Sequence, residues 1–91
     1  SSIMNAKVTF YGTGSCGFCY RAERLLLERG VTDMEKIRVD VEPKRRLEMM
    51  DLSGCRTVPQ IFINDRHIGG YRELLELDQR GELKKLLSGE T

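Results

Sequence analysis

Short strand patterns and helical patterns alternate along this chain, and that alternation restricts its fold more than any other feature. Residues 7–11 alternate polar and apolar side chains, as a half-buried strand does. Apolar side chains then recur at helical spacing over residues 19–29, before Gly30 ends the helix. Residues 37–41 alternate again. A helix between two such strands predicts a parallel pair of strands joined by a crossover.

A second helix is predicted after these two strands. Pro43 suits its first turn, because the N–H that proline lacks would have no partner there, and Gly54 ends the helix. Leu47, Met50 and Leu52 are expected to form its buried stripe.

The remaining sequence predicts a hairpin and two helices. Residues 59–63 and 66–68 flank Asn64-Asp65, a pair typical of tight hairpin turns. Gly81 then divides two helical segments, whose expected core residues are Leu74, Leu75, Leu77, Leu83, Leu86 and Leu87. The order β-α-β-α-β-β-α-α predicts an α/β fold, with a mixed four-stranded sheet covered by helices.

The composition favours a single domain over residues 1–91, with a core at about 6–87. Fifteen Lys and Arg against 14 Asp and Glu give a formal net charge of +1, which argues against a dedicated nucleic-acid binder. No apolar run approaches the roughly 18 residues of a membrane span. Residues 1–4 lack the charged and apolar regions of a signal peptide, so a reducing cytoplasm is the expected location.

A close pair of cysteines carries the clearest chemical signal. Cys16 falls where the first helix is expected to begin, and free helix N–H groups stabilise a thiolate there. Cys19 lies one turn further on the same face. One thiolate can attack a substrate disulfide and the other can resolve the mixed disulfide that forms.

Several other residues are interpreted as structural or solvent-facing and not as functional. A zinc site needs four ligands, and beyond the pair only Cys55 and His67 are candidates, so this alternative is weak. Cys55 is expected to be an inert, half-exposed thiol, and regulatory oxidation or glutathionylation is the alternative. His67 is interpreted as structural or solvent-facing, and Arg21 and Arg24 as solvated helix residues.

Four blocks in a fixed order resemble one known family, the glutaredoxins, and most closely the small dithiol glutaredoxins of bacteria. The blocks are Cys16-Gly17-Phe18-Cys19, Ser53-Gly54, Thr57-Val58-Pro59-Gln60-Ile61-Phe62-Ile63 and His67-Ile68-Gly69-Gly70-Tyr71. The resemblance extends from about Lys7 to Leu87. It implies a thioredoxin-like fold and a glutathione-dependent oxidoreductase, or thioltransferase, that reduces protein disulfides and glutathione mixed disulfides.

The resemblance also implies roles for individual residues. Cys16 matches the nucleophile and Cys19 the resolving thiol. Pro59 matches a cis-proline, and the main chain of Val58 would pair with the cysteine of glutathione as an added strand does. Arg46 matches a residue that reaches the glycyl carboxylate. The remaining expected glutathione contacts are Thr13, Phe18, Thr57, Gly70, Tyr71, Arg72 and Glu73, the last four at the γ-glutamyl end.

This chain departs from the family pattern at four positions. Gly17 and Phe18 replace the usual Pro-Tyr, Thr13 replaces a basic residue, and Glu73 is one methylene longer than the usual aspartate. The glycine after the first cysteine resembles members that hold a [2Fe–2S] cluster between two subunits, with Cys16 and two glutathiones as ligands. A cluster-binding dimer is therefore one alternative, and a thioredoxin-like donor recycled by a reductase protein is another. Without a cluster, a monomer that acts on disulfide-containing or glutathionylated proteins is expected.

Overall fold

Strands and helices follow one another in the predicted order. The computed structural model describes residues 6–88, so the prediction for residues 1–4 lies outside the described residues. Within this range the elements are β1 (Val8–Gly12), α1 (Gly17–Glu28), β2 (Met34–Arg38), α2 (Pro43–Ser53), β3 (Gln60–Ile63), β4 (Arg66–Gly69), α3 (Tyr71–Gln79) and α4 (Glu82–Ser88). None of these helices has the length and apolar character that crossing a membrane requires.

The four strands form one mixed sheet in the order β2-β1-β3-β4. β1 pairs with β2 in parallel, as the crossover through α1 requires. β3 is antiparallel to both β1 and β4. Asn64 and Asp65, with φ of 52° and 67°, turn the β3–β4 hairpin in the left-handed region that two-residue turns demand. The predicted sheet and hairpin are confirmed.

The sheet buries unequal amounts of apolar surface on its two faces. On one face, side chains of β1 and β3 pack against α1, α3 and α4, and Leu26, Leu74 and Leu83 are fully buried there. The other face carries a smaller cluster, composed of Tyr11, Ile37, Val39, Met49 and Phe62. Because successive strand residues point to opposite faces, Phe10 joins the first cluster and Tyr11 the second. Three helices thus cover one face, whereas α2 covers the other.

The prediction for the second strand is wrong by three residues. β2 ends at Arg38, and residues 39–41 form a turn, so Val41 is 66% exposed although Val39 is buried. β2 lies at the edge of the sheet and pairs through its backbone from Met34 onward. The first residues of β2 therefore do not have to alternate apolar and polar side chains. For this reason the alternation in the sequence could not show where the strand begins.

The predicted apolar stripe of α2 is also wrong at two of its three positions. Met49 is completely buried, whereas Leu47 and Leu52 are 65% and 58% exposed. Met50 is half-buried and packs against the smaller cluster. A helix turns about 100° per residue, so Leu47, two residues before Met49, points away from the sheet.

Candidate active site around Cys16

Cys16 occupies the N-cap position of α1, directly before the first helical residue. Its backbone is extended, with φ −102° and ψ 117°, and its Sγ accepts a hydrogen bond from the backbone N–H of Cys19 at 3.2 Å. On the other side, Sγ lies 3.9 Å from the carbonyl oxygen of Val58. The half-buried sulfur therefore sits between a helix N-terminus and the loop that leads into β3.

Cys19 has a different environment from Cys16. It lies in the first turn of α1 and is only 4% exposed. Burial, reinforced by the hydrogen bond with Cys16, raises the pKa of the Cys19 thiol to about 12. The three cysteines, all within the described residues, are free thiols. Cys19 is thus a protonated, buried thiol at neutral pH, and Cys16 is the sulfur of the pair that a substrate can reach.

The loop before Cys16 is held by contacts from the turn that follows β2. Gly12 accepts a backbone hydrogen bond from Val39 at 3.0 Å, and Gly14 donates its N–H to Asp40 Oδ2 at 3.3 Å. Asp40 also accepts two hydrogen bonds from the Arg38 guanidinium, at 2.7 and 2.8 Å. The Arg38 side chain holds the pKa of this carboxyl well below its usual range. A charged pair therefore fixes the backbone that delivers Cys16 to the helix.

A groove of about 580 Å³ begins beside Cys16 and extends to the start of α3. Its lining includes eight of the residues that the sequence predicted for glutathione: Phe18, Thr57, Val58, Pro59, Gly70, Tyr71, Arg72 and Glu73. The Val58–Pro59 peptide bond is cis, as the resemblance implies. The rings of Phe18 and Tyr71 lie 6.2 Å apart, so aromatic side chains from α1 and α3 meet at the groove.

The carboxylate of Glu73 already has a backbone partner. Glu73 is the third residue of α3, and its Oε1 accepts the N–H of Gly70 at 2.8 Å, as in a capping box. Gly69 makes room for this contact: its φ is 119°, and a Cβ there would lie 2.9 Å from Glu73 Cγ. Glu73 therefore orients the first turn of α3 toward the groove.

Thr13 and Arg46 lie outside the lining of this groove. Thr13 borders a second cavity of about 370 Å³, which also contacts Cys16, Cys19 and Lys36. Arg46 projects from α2 and donates to the Arg56 carbonyl at 3.4 Å. Cys16 itself lines this second cavity, and Val58 and Phe18 stand on the groove side of its sulfur.

Gln60 and His67 line the groove, and sequence reasoning did not place them there. Gln60 is only 3% exposed, and its amide NH₂ donates to the carbonyl and the hydroxyl oxygens of Thr57 at 3.0 and 3.2 Å. Because the Thr57 carbonyl can only accept, the Gln60 Oε1 must face His67, whose Nε2 lies 2.7 Å away and is assigned as a donor. This chain of hydrogen bonds holds the loop that faces Cys16. The signal available in the sequence was Gln60 itself, a polar residue at the start of a strand whose other three residues are apolar.

Cys55 also lines the groove, as a half-buried thiol. The weak zinc alternative required Cys55 and His67 to join the cysteine pair. Within residues 6–88, the structure brings together no group of three or more His, Cys, Asp or Glu side chains suited to hold a metal ion.

The sequence of this chain is similar to those of known glutaredoxins. The family model described as glutaredoxin matches residues 8–68. A glutaredoxin of Neisseria meningitidis serogroup A is 47% identical over 81 residues, which cover 89% of this chain and 95% of that protein. Glutaredoxin 3 of Escherichia coli K12 is 44% identical over 82 residues, covering 90% of this chain and 98% of that protein.

Solved structures agree with this relationship. A glutaredoxin from Brucella melitensis has a TM-score of 0.81 at 36% identity, covering all of this chain and 97% of that one. A buckwheat glutaredoxin, solved as a complex with glutathione, has a TM-score of 0.83 at 28% identity, covering 90% and 76%. The fold and the cysteine pair thus define a thioredoxin-like thiol–disulfide oxidoreductase, and the predicted fold class is confirmed. The chain belongs to the glutaredoxin family.

Proposed function

We propose that this protein is a glutathione-dependent oxidoreductase that reduces glutathione mixed disulfides and protein disulfides. The observation that carries the proposal is the position of the Cys16 sulfur, 3.9 Å from the Val58 carbonyl that borders the groove. A half-buried but accessible cysteine sulfur beside a long, largely apolar groove suits a substrate that carries its own sulfur. The buckwheat relative, solved with glutathione, supports this ligand.

Glutathione is expected to lie along the groove as an extended strand against Val58. Its γ-glutamyl carboxylate would then reach the start of α3, where free N–H groups and the helix dipole favour an anion. The N–H of Gly70 is already bonded to Glu73, and among the described hydrogen bonds those of Tyr71 and Arg72 have no acceptor. These two N–H groups are our proposed donors to the γ-glutamyl carboxylate.

The glycyl end of glutathione would point away from α3, toward Arg46 and Thr13. Arg46 lies at the base of the loop that contains Thr57, and its guanidinium is exposed. Thr13 offers a hydroxyl where relatives with a basic residue offer a charge. We therefore assign most of the attraction for the glycyl carboxylate to Arg46.

The reduction of a glutathionylated protein needs only Cys16. Its thiolate attacks the glutathione sulfur, and the protein thiolate leaves and takes up a proton. Cys16 now forms a disulfide with glutathione in the groove. The thiolate of a second glutathione attacks the sulfur of the bound one, oxidised glutathione leaves, and the Cys16 thiolate is restored. The net reaction consumes one free glutathione, which leaves as oxidised glutathione together with the glutathione taken from the substrate.

The reduction of a protein disulfide uses both cysteines. Cys16 attacks one substrate sulfur and releases the other as a thiol after proton uptake. Cys19 then loses its proton and displaces the second substrate thiol, which leaves a Cys16–Cys19 disulfide. Two glutathiones reduce this bond in turn and leave as oxidised glutathione. The high pKa of Cys19 keeps it from competing with Cys16 for the first attack.

The test is to compare two recycling systems on one glutathionylated peptide. We expect turnover with glutathione, glutathione reductase and NADPH, and little turnover with thioredoxin reductase and NADPH alone. If only thioredoxin reductase supports turnover, the protein is instead a thioredoxin-like donor, and the proposal is wrong. We further propose that the protein works as a monomer in a reducing compartment such as the cytoplasm.

A [2Fe–2S] cluster shared by two chains is the second candidate function. A Cβ on Gly17 would touch nothing within 4 Å, and Phe18 is 59% exposed, so the surface beside Cys16 has room for a partner. Cys19 is buried, so one chain offers a single accessible ligand of the pair, and a cluster would need a second chain and glutathione thiols. After anaerobic reconstitution with iron, sulfide and glutathione, this candidate requires a brown dimer that Cys16→Ser cannot form. A colourless monomer would exclude it.

A further inference from the structure

The arginines of this chain fall into two groups by their ion pairing. Four of them contact carboxylates: Arg29, Arg38, Arg45 and Arg80. Among the described residues, no ion pair joins Arg21 or Arg24 to a carboxylate, although both side chains are exposed on α1. Instead, the Arg21 guanidinium lies over the ring of Phe18, 5.9 Å from its centroid. Two unpaired positive charges therefore stand on the helix that begins at Cys16.

These two arginines line a cavity that adjoins the groove. The cavity measures about 450 Å³, lies between α1 and α3, and is bordered by Tyr20, Arg21, Arg24 and Tyr71. Tyr71 also lines the glutathione groove, so the two depressions share a wall. Tyr20 is 64% exposed, and it brings a second aromatic ring to the same surface.

Phe18, Tyr20, Arg21 and Arg24 together form a patch on α1, the α1 basic surface. Glu28, the one carboxylate among the described lining residues of the cavity, lies one helical turn beyond Arg24, and no ion pair joins the two among the described residues. The chain as a whole is nearly neutral, with a formal net charge of +1, so the positive charge here is local. A local unpaired charge selects partners by complementarity and speeds their encounter.

We propose that the α1 basic surface docks an acidic segment of the protein substrate, next to the cysteine whose sulfur reacts with Cys16. The proposal rests on the proposed function, because it concerns the protein half of a glutathione mixed disulfide. Glutathione occupies the groove on one side of Tyr71, and the substrate chain crosses the other side. The exposed rings of Phe18 and Tyr20 pack against that chain, and Arg21 and Arg24 pair with its carboxylates.

The helix spacing sets where those carboxylates must lie. Arg21 and Arg24 follow Cys16 by five and eight residues, or about 8 and 12 Å along the helix axis. An extended substrate advances about 3.3 Å per residue, so acidic residues about two and four positions from the reactive cysteine match the two arginines. Acidic residues much further along the substrate are not expected to matter at physiological salt, where screening acts over about 8 Å.

The test uses two peptides that each carry one glutathionylated cysteine. One peptide has Glu at the second and fourth positions on either side of the cysteine, and the other has Gln there. We expect kcat/KM for the acidic peptide to exceed that for the neutral one by about three- to tenfold, chiefly through KM, and to converge with it at high salt. The Arg21→Gln/Arg24→Gln variant should lose this preference and keep its rate on the neutral peptide.

A matched control removes two charges elsewhere. Lys84 and Lys85 are exposed on α4, and Lys84→Gln/Lys85→Gln should retain the preference. The proposal is wrong if both peptides react equally with the unsubstituted protein, or if the α4 variant loses as much preference as the α1 variant. Failure of glutathione to reduce either peptide would overturn the proposed function itself, and this inference with it. If sedimentation shows a dimer that Arg21→Gln/Arg24→Gln converts to a monomer, the occupant is a second copy and the proposal is wrong.

Discussion

The two cavities on either side of the Cys16 sulfur differ in what they contain. The groove on the hairpin side is built from the Thr57–Pro59 loop, the end of β4 and the start of α3, and it presents mostly apolar surface together with the polar side chains of Gln60, His67, Arg72 and Glu73. The smaller cavity on the β2 side contains both cysteines, together with Lys36, Glu23 and Arg38. The first is suited to hold an extended peptide ligand. The second borders the Cys16 sulfur directly, whereas the groove reaches that sulfur through Val58, whose carbonyl oxygen lies 3.9 Å from it.

The largest effect is expected from the Cys16 sulfur, which lines the smaller cavity and lies 3.9 Å from the Val58 carbonyl at the groove. Cys16→Ser should abolish reduction of every disulfide substrate, because no other half-exposed thiol stands at a helix N-terminus. Cys19→Ser should keep activity on glutathionylated substrates, since a second glutathione resolves the mixed disulfide, and should lose activity on protein disulfides. Steady-state rates with both substrate types measure this. Equal loss in the two variants on glutathionylated peptide contradicts the division of labour.

A substitution in the groove alone should separate binding from chemistry. In Gly69→Ala, the new Cβ meets Glu73 Cγ at 2.9 Å and φ stays at 119°, so the Glu73 cap and the start of α3 must shift. We expect KM for glutathione to rise by about tenfold with less change in kcat, and stability to fall by about 1–3 kcal/mol.

Gly81→Ala is the control for that variant. Gly81 has φ of 77°, but a Cβ there touches nothing within 4 Å, and it lies between α3 and α4. This substitution should reduce stability by about 1 kcal/mol through backbone strain without raising KM for glutathione. A similar rise of KM in both variants would show that general destabilisation, and not the groove, causes it.

The buried thiol of the smaller cavity should make stability depend on pH in the alkaline range. The pKa of Cys19 is raised to about 12, whereas a thiol in the unfolded chain titrates near 8.5. The unfolded state therefore loses its proton first. The stability that comes from keeping Cys19 protonated in the folded state is therefore fully present below a pH of about 8.5. The free energy of unfolding then falls as the pH rises from about 8.5 toward 12. Urea unfolding at pH 7, 9 and 10 should show a decline in wild type that is smaller in Cys19→Ser, by about 2 kcal/mol at pH 10. Parallel curves for the two proteins contradict this assignment.

Arg46 tests whether the glutathione site extends beyond the groove. If it holds the glycyl end of glutathione, as we propose, that contact is remote from the reacting sulfur, so Arg46→Ala should raise KM for glutathione by less than tenfold, with a smaller effect on kcat. Its neighbour Lys44 is also exposed on α2, and Lys44→Ala serves as the control that removes one charge. An unchanged KM in Arg46→Ala would confine the site to the groove.

Sequence patterns predicted the buried residues better on the sheet face covered by α1, α3 and α4 than on the face covered by α2. Leu74, Leu83 and Leu87 are buried as expected, because helices that pack against a large apolar cluster need a continuous stripe. α2 buries Met49 fully and uses polar contacts as well: Glu48 accepts the Tyr11 hydroxyl at 2.7 Å. Because α2 is held against the sheet by few apolar side chains and by a hydrogen bond, the spacing of its apolar residues could not predict which of them are buried.

In the site, too, the sequence predicted local motifs well and contacts between distant segments poorly. The cysteine pair and the segment around Pro59 form local motifs, and a sequence displays them directly. The contacts of Gln60 with Thr57 and His67 depend on the β3–β4 register and on a loop closing over the sheet. Such contacts join segments through tertiary packing. Neither periodicity nor composition could therefore place His67 in the groove wall.

The smallest effect is expected at Cys55, the thiol that lies on the groove side. It is half-buried, and its backbone N–H donates to Ser53 Oγ at 3.0 Å, so its position is set by main-chain contacts that serine would keep. It stands at no helix N-terminus, since α2 has already ended at Ser53. We expect Cys55→Ser to change kcat/KM for glutathionylated peptides by less than about twofold. If oxidant treatment followed by reduction of the Cys16–Cys19 pair lowers kcat/KM in the wild type and not in Cys55→Ser, Cys55 is instead a site of oxidation that blocks the groove.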